Sequence, residues 1–208
     1  MNRHPDREAA LAQYRRRAPL YDFELLAFEP VRQRAIEALA LAPGDCVLDV
    51  GCGTGLSLPA LAAAVGPGGR VIGIEQSPEM VALARRRVAT ARLPCVELIE
   101  APAESARWHG RADAALFVFT HDVLLREDAV SNVVGHLRRG ARVVAAGLQW
   151  APVWALPVNL FVFGAALYSV TTLAALDRPW QRLLPHLDDF EVGTMLAGGV
   201  YLASGRVR

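Results

Sequence analysis

Apolar and polar positions along the chain predict strands and helices that follow one another in turn. Short apolar runs bounded by turn residues indicate buried strands at 46–50, 70–75, 96–99, 112–119 and 141–148. Helical periodicity marks the stretches between them, at about 30–41, 56–65, 77–90 and 129–137, with Gly140 expected to stop the last helix. This alternation predicts an α/β fold built on a parallel sheet.

The C-terminal third has a different pattern. Two strand-like runs at 190–196 and 200–207 are separated by Ala197-Gly198-Gly199, which is a hairpin signal. Before them we expect a helix at about 159–176 and a short one at 179–187. The whole pattern predicts a mostly parallel seven-stranded sheet that ends in an antiparallel hairpin.

No charged residue occurs from Val143 to Leu176, and that length is enough to cross a bilayer. The first part of the segment, however, is needed as the buried strand at 141–148. Pro152 and Pro157 interrupt the remainder. We therefore expect a strand and a helix here rather than a membrane span.

Length and composition indicate one globular domain over residues 1–208. The chain is 53% hydrophobic and 21% charged, and its net charge of +1 leaves no basic excess for binding nucleic acid. The dense basic run Arg15 to Arg17 is expected to be a solvated face of a helix at about 7–17. The three cysteines form no C-x-x-C pair and predict no metal site, and the polar N-terminus favours a cytoplasmic protein.

The most informative motif is Leu48-Asp49-Val50-Gly51-Cys52-Gly53-Thr54-Gly55. It lies where an apolar strand ends and a helix begins. Glycine tolerates the positive φ angles of so tight a turn, and a backbone without side chains lets a ligand approach closely. The G-x-G-x-G spacing differs from the G-x-G-x-x-G of nicotinamide dinucleotide loops. The motif therefore predicts a loop that holds a nucleotide-like ligand.

Glu75 ends the second predicted strand, about two dozen residues after Gly51. A carboxylate at this place in α/β nucleotide sites accepts hydrogen bonds from both ribose hydroxyls. The alternative is an ordinary surface glutamate.

The glycine loop resembles motif I of the class I, Rossmann-like S-adenosylmethionine-dependent methyltransferases, whose fold is a three-layer α/β sandwich. The resemblance covers about residues 14–140 clearly and the hairpin loosely. It implies S-adenosylmethionine as cofactor and S-adenosylhomocysteine as product. Asp49 is then expected to hold the methionine end of the cofactor, although it could instead brace the loop. The other implied contacts are Gly51, Cys52, Gly53, Gly55, Glu75, Gln76 and Met80.

The chain departs from the family pattern after the third strand. Ala101-Pro102-Ala103-Glu104 replaces a Gly-Asp-Ala-type turn, so we expect the Ala103 amide and Glu104 to serve the adenine instead. The resemblance also implies an N-terminal helical lid over residues 1–43, with Tyr14 or Tyr21 closing over the cofactor. Ordinary packing of both tyrosines is the alternative.

Thr120-His121-Asp122 follows the fourth predicted strand, where the family places the reactive methyl group. The resemblance makes Thr120 a cofactor contact and His121, with Asp122, the candidate catalytic group. A base is useful when the acceptor must lose a proton, and histidine is largely neutral at cytosolic pH. Alternatively, His121 and Asp122 cap the next helix.

Aromatic residues cluster in an insertion at 149–187 on the expected acceptor side, with Trp150, Trp154 and Phe161 as candidate contacts. Core packing is the alternative. We expect methyl transfer to a hydrophobic small molecule. Two alternatives remain: a phospholipid N-methyltransferase with peripheral membrane contact, and a non-catalytic scaffold that binds the cofactor. The pattern leaves the oligomeric state open.

Overall fold

The computed structural model describes residues 25–169 and 172–208, and its strands form one sheet with the order β3-β2-β1-β4-β5-β7-β6. The strands are β1 (Cys46–Val50), β2 (Arg70–Glu75), β3 (Val96–Glu100), β4 (Ala112–Val118), β5 (Leu137–Leu148), β6 (Leu187–Met195) and β7 (Val200–Val207). The first five run parallel, and β7 pairs antiparallel with both β5 and β6. The predicted sheet with its C-terminal hairpin is confirmed.

Helices cover the central strands on both faces. They are α1 (Glu29–Ala38), α2 (Leu58–Val65), α3 (Pro78–Ala91), α4 (His121–Leu124), α5 (Glu127–Gly135) and α6 (Leu156–Ser169), with short 3₁₀ turns at Leu26–Phe28, Gln181–His186 and Leu196–Gly198. Two apolar cores result. Leu48 and Val50 belong to one and Val47 to the other, because successive side chains of a strand point to opposite faces. All three are fully buried, as expected of a central parallel strand.

The start of β5 differs from the prediction. The strand begins at Leu137 rather than at 141, and Gly140, read from the sequence as a helix stop, lies inside it with a φ of +79°. Pairing with β4 shifts register between Ala112 and Ala114, so the extra residues form a bulge. Glycine is a sequence signal for both a helix end and a bulge, and here the bulge is formed.

The predicted helix at 159–176 was wrong at both ends, because α6 spans Leu156–Ser169. It includes Pro157, which a helix tolerates in its first turn because the amide there lacks an intrahelical acceptor. Within the described ranges, no helix has the length and hydropathy needed to traverse a bilayer. The predicted N-terminal helix at 7–17, Tyr14 and Tyr21 lie outside the described residues.

Replacement of Gly73 by valine is expected to destabilise the fold. A Cβ at this position in β2 would lie 2.8 Å from Leu98 Cδ2 and 3.0 Å from Cys52 Sγ, so the packed core must shift. We expect the free energy of unfolding in denaturant titration to fall by about 1–3 kcal/mol. Gly193→Val is the matched control on the edge strand β6, where the nearest atom is 3.9 Å away, and its effect should stay within about 0.5 kcal/mol. Equal losses in the two variants would contradict the packing argument.

Candidate functional site

The candidate site lies where β1, β2 and β4 end. These strands are adjacent and parallel, with β1 between the other two, so their carboxyl ends share one edge of the sheet. Ligands of open α/β sheets bind at this edge. The glycine loop follows β1, Glu75 is the last residue of β2, and Thr120 follows the end of β4.

The glycine loop requires its glycines for two reasons. Gly51, Gly53 and Gly55 have φ angles of +69°, +55° and +80°, a region that residues with a Cβ rarely adopt. A Cβ on Gly51 would also lie only 2.5 Å from Thr120 Cγ2. The loop and the end of β4 are therefore in direct contact, as a shared ligand site requires.

The loop amides are held by the neighbouring strand. The amides of Gly51 and Cys52 both donate to the carbonyl oxygen of Ile74, at 2.7 and 3.0 Å. The Gly53 amide donates to Glu75 Oε2 at 3.1 Å. The sequence indicated a bare loop, but these amides are already engaged, so the end of β2 fixes the loop's shape.

Glu75 is buried, and both of its carboxylate oxygens accept backbone amides. Oε1 accepts the Ser77 amide at 2.8 Å, while Oε2 accepts that of Gly53. Burial raises the pKa of Glu75, and the amide hydrogen bonds oppose that rise. Each carboxylate oxygen has a further lone pair, so the group can accept ligand hydroxyls while still holding the loop.

Asp49 is the strongest indication of a bound cation. Its side chain is 2% exposed, and its Oδ2 has no hydrogen-bond partner. Burial raises the pKa of Asp49 to about 7; nearby Arg32 opposes the rise and Glu75 adds to it. A buried carboxylate oxygen without a donor is costly. An ammonium group at the loop would supply that donor, which fits the amino acid end of S-adenosylmethionine.

Sequence reasoning missed Arg32 on α1. The side chain is buried, forms an ion pair with Glu29 and acts on the Asp49 carboxylate through its charge. In the sequence it is one of two arginines, with Arg34, on a helix that looks amphipathic, so no local signal marks it. Its position brings a guanidinium to the same region as the glycine loop.

His121 and Thr120 are buried at the exit of β4. His121 Nε2 lies 3.0 Å from the carbonyl oxygen of Ala174, so this nitrogen carries the hydrogen that it donates. Nδ1 is then the lone-pair nitrogen, and neither it nor Thr120 Oγ1 has a partner. Burial lowers the pKa of His121, and Asp122 opposes the shift. The ring is therefore a neutral acceptor at Nδ1. The Thr120 side chain makes no capping hydrogen bond at the start of α4, and His121 is the first residue of that helix.

The predicted adenine contacts lie in two segments of the chain, one after β2 and one after β3. Gln76 follows Glu75, and Met80 is 1% exposed in the first turn of α3, where its amide donates to Ser77 Oγ at 3.4 Å. The carbonyl oxygen of Ala103 accepts Asn132 Nδ2 at 2.7 Å. Glu104 forms an ion pair with Arg126 at 3.1 Å, so its carboxylate is engaged by a cation of the protein.

Two of the three predicted acceptor residues share a cleft. Trp150 and Trp154 line a space of about 670 Å³ between the segment after β5 and the turn from β6 to β7, with Met195 and Leu196 opposite. Phe161 lies outside that cleft.

Phe161 instead contacts Phe28, with ring centroids 6.2 Å apart, and Phe28 packs edge-on to Phe119 at 5.0 Å. Phe119 has a φ of +56°, which is unusual for an aromatic residue. No sequence pattern indicates this conformation. Among the described residues, no group of three or more His, Cys, Asp or Glu side chains could hold a metal ion.

Comparison with known proteins agrees with this geometry. Residues 47–142, from β1 into β5, match the family model described as a methyltransferase domain. These residues form a Rossmann-like methyltransferase domain.

Several relatives are methyltransferases by name, and two of them illustrate the similarity. The aklanonic acid methyltransferase DauC of Streptomyces sp. strain C5 is 32% identical over 120 residues, which is 58% of this chain and 52% of DauC. A demethylmenaquinone methyltransferase of Bacillus mycoides is 40% identical over 68 residues, 33% of this chain and 29% of that protein. The chain thus spans about half of the first relative and under a third of the second.

Among solved structures, the N-methyltransferase NodS of Bradyrhizobium japonicum, in complex with S-adenosylhomocysteine, superposes with a TM-score of 0.64. Identity is 15%, and 86% of each chain is covered. At this identity the match shows the shared fold.

Gly51→Ala is expected to weaken binding of S-adenosylhomocysteine at least tenfold, measured by titration calorimetry. The added Cβ collides with Thr120 Cγ2 and so separates the loop from the end of β4. Gly44→Ala is the matched control, since its φ of +95° is also strained but no atom lies within 4 Å. Both variants carry backbone strain of about 1–2 kcal/mol, and only the first should lose affinity. Unchanged affinity in Gly51→Ala would refute the assignment of the loop.

Affinity for S-adenosylhomocysteine is expected to rise with pH across neutrality. The ligand ammonium prefers the Asp49 carboxylate, whose pKa of about 7 leaves it mostly protonated at about pH 6 and mostly ionised at about pH 8. The gain over this window should be about tenfold. Asp49→Asn should weaken binding and abolish the gain, while Asp45→Asn, at the other end of β1, should keep it.

The same Asp49→Asn variant should be more stable than the parent without ligand. A carboxyl group with a raised folded-state pKa costs stability once pH exceeds its unfolded value, and the loss is complete above the folded value of about 7. At about pH 8 we expect the unfolding free energy to increase by about 1–3 kcal/mol. A decrease would show that Asp49 braces the loop instead of awaiting a cation.

Proposed function

We propose that the protein transfers a methyl group from S-adenosylmethionine to a hydrophobic small molecule. The observation that carries the proposal is the buried Asp49 oxygen without a donor, in the strand that leads into the glycine loop and close enough to the Glu75 carboxylate to interact with it by charge. One carboxylate suits an ammonium and the other suits ribose hydroxyls. Few ligands carry both groups, and S-adenosylmethionine is one of them.

Different residues of the site are assigned to different parts of the cofactor. Asp49 binds the ammonium, and Arg32 provides a positive charge for the carboxylate at the same end. Glu75 accepts the ribose hydroxyls. The loop from Gly51 to Gly55 has few side chains, so the ligand can come close to its backbone. When bound, the cofactor supplies a methyl group on a sulfonium, ready for in-line displacement.

Orientation provides most of the catalysis in such a displacement, worth up to about 7–11 kcal/mol in favourable cases. We assign His121 Nδ1 as the base that takes a proton from an acceptor hydroxyl or amine. It suits the role because its lone pair is free, the ring is neutral, and the hydrogen bond from Nε2 to Ala174 fixes the ring plane. A positioned base contributes about 10²–10⁴-fold.

The acceptor side is assigned to residues 149–187. Trp150, Trp154, Met195 and Leu196 give the cleft an apolar lining, which favours an acceptor with little charge. Aklanonic acid and demethylmenaquinone, the compounds that name the two relatives, support a small-molecule acceptor.

The decisive experiment incubates the protein with methyl-labelled S-adenosylmethionine and a cell extract divided into metabolite and lipid fractions. We expect one added methyl on a hydrophobic metabolite, read by mass spectrometry. Label on phospholipid head groups would favour the peripheral phospholipid N-methyltransferase. Cofactor binding without any transfer would favour a non-catalytic scaffold, since fold alone does not fix activity.

Glu75→Ala should reduce both S-adenosylhomocysteine affinity and methyl transfer at least tenfold, because it removes the hydroxyl acceptor and releases the Gly53 amide. Glu100→Ala is the matched control, since Glu100 pairs with Glu75 in register at the end of β3 but is engaged by Arg85. The control should retain both properties.

The base assignment is tested with two variants of His121. His121→Gln keeps a donor for the Ala174 carbonyl but has no basic lone pair, whereas His121→Ala loses both. If Nδ1 is the base, both variants should lose about 10²–10⁴-fold in kcat with little change in cofactor affinity. Recovery of activity in the glutamine variant alone would assign His121 a positioning role.

A further inference from the structure

The outward face of α6 is unusually apolar. Leu156, Leu160, Phe163 and Leu167 are 71%, 72%, 41% and 52% exposed, while Val162 and Ala166 on the opposite face are fully buried. A helix that is apolar on both faces is normally covered on both. In this protein only the inner face of α6 is covered by the described residues.

The exposed area is large enough for a stable protein interface. Val153, Trp154 and Phe161, which are 87%, 79% and 55% exposed, extend the outward face; together these seven residues are termed the α6 patch. With aromatic side chains of ~150–250 Å² and somewhat smaller aliphatic ones, the patch exposes on the order of 800 Å². That exceeds the largest apolar patch of a typical monomer, about 300–600 Å², and equals what one partner of a standard interface buries.

The patch is also complementary to itself. Four of its members, Leu156, Leu160, Phe163 and Leu167, are spaced by four, three and four residues, which is the seam spacing of paired helices. Gly164 is exposed, and no atom lies within 4 Å of the position that its Cβ would take. It leaves a depression between Leu160 and Leu167. The same surface therefore presents protruding side chains and a site to receive one, as a two-fold symmetric contact requires.

Charge favours a second copy over a lipid surface. Helices that lie in a membrane interface usually combine their apolar face with Lys and Arg. The sequence from Val143 to Leu176 has no charged residue, so the patch offers anionic lipid no electrostatic attraction. Two such surfaces can meet without like-charge repulsion.

We propose that the α6 patch is the interface of a homodimer in which α6 of one protomer packs antiparallel on α6 of its partner. Val153 and Trp154 belong both to the patch and to the lining of the acceptor cleft. The partner protomer therefore lies against the rim of that cleft and restricts its opening. Dimer formation is independent of the proposed chemistry, because it rests on the patch alone.

The first test measures molar mass by light scattering at about 50 µM protein. The parent is expected at twice 22.5 kDa and Leu160→Glu at 22.5 kDa, since a buried, unpaired carboxylate opposes association. Leu184→Glu, which changes a 38% exposed leucine outside the patch, should remain dimeric. A monomeric parent, or a dimeric Leu160→Glu, overturns the proposal. S-adenosylhomocysteine binding by the monomeric variant should persist, which separates this result from failure of the proposed function.

The second test uses matched cysteines and a short bismaleimide cross-linker. Gly164→Cys and Gly135→Cys both place a thiol on an exposed helix position with open space around Cβ. Only Gly164→Cys should yield a cross-linked dimer, because only Gly164 lies in the patch. Equal cross-linking in the two variants would refute the interface. Co-sedimentation of the parent with phosphatidylcholine vesicles, lost in Leu160→Glu, would assign the patch to lipid and overturn the dimer.

Discussion

The geometry of the candidate site depends on one set of hydrogen bonds, between the end of β2 and the glycine loop. The Ile74 carbonyl oxygen accepts the Gly51 and Cys52 amides, and the Glu75 carboxylate accepts those of Gly53 and Ser77. Without these acceptors, a loop with three positive φ angles would have little to hold it. Glu75 thus shapes the loop before it can contact any ligand, and structure and binding share the same two oxygen atoms.

The position of the glycine loop and Glu75 in the fold was predictable from the sequence because its signals are local. The apolar runs of β1, β2 and β4 are buried on both faces, so they read as strands without knowledge of their neighbours. The glycine spacing and Glu75 then follow from the place where those strands end. The structure puts these residues beside Thr120, as the parallel topology requires.

What the sequence missed depends on tertiary contacts. Arg32 acts on Asp49 only because α1 packs over the sheet, and nothing in its own helix distinguishes it from Arg34. Phe119 adopts a left-handed conformation that no local preference favours, and Phe28 reaches it from another element. The bulge at the start of β5 was misread because Gly140 is equally suited to ending a helix. Gly140 thus has two locally acceptable conformations between which packing decides, whereas Arg32 and Phe119 were missed because their roles depend on contacts with other elements.

The hydrogen bond from His121 to the Ala174 carbonyl oxygen joins two parts of the molecule that are far apart in sequence. Ala174 lies a few residues beyond the end of α6, whereas His121 begins α4 at the exit of β4. The orientation of the imidazole is therefore set in part by the segment around Ala174 and not by α4 alone. On the proposed assignment of His121 as base, a substitution near Ala174 would act on proton transfer through this one contact, without touching β4.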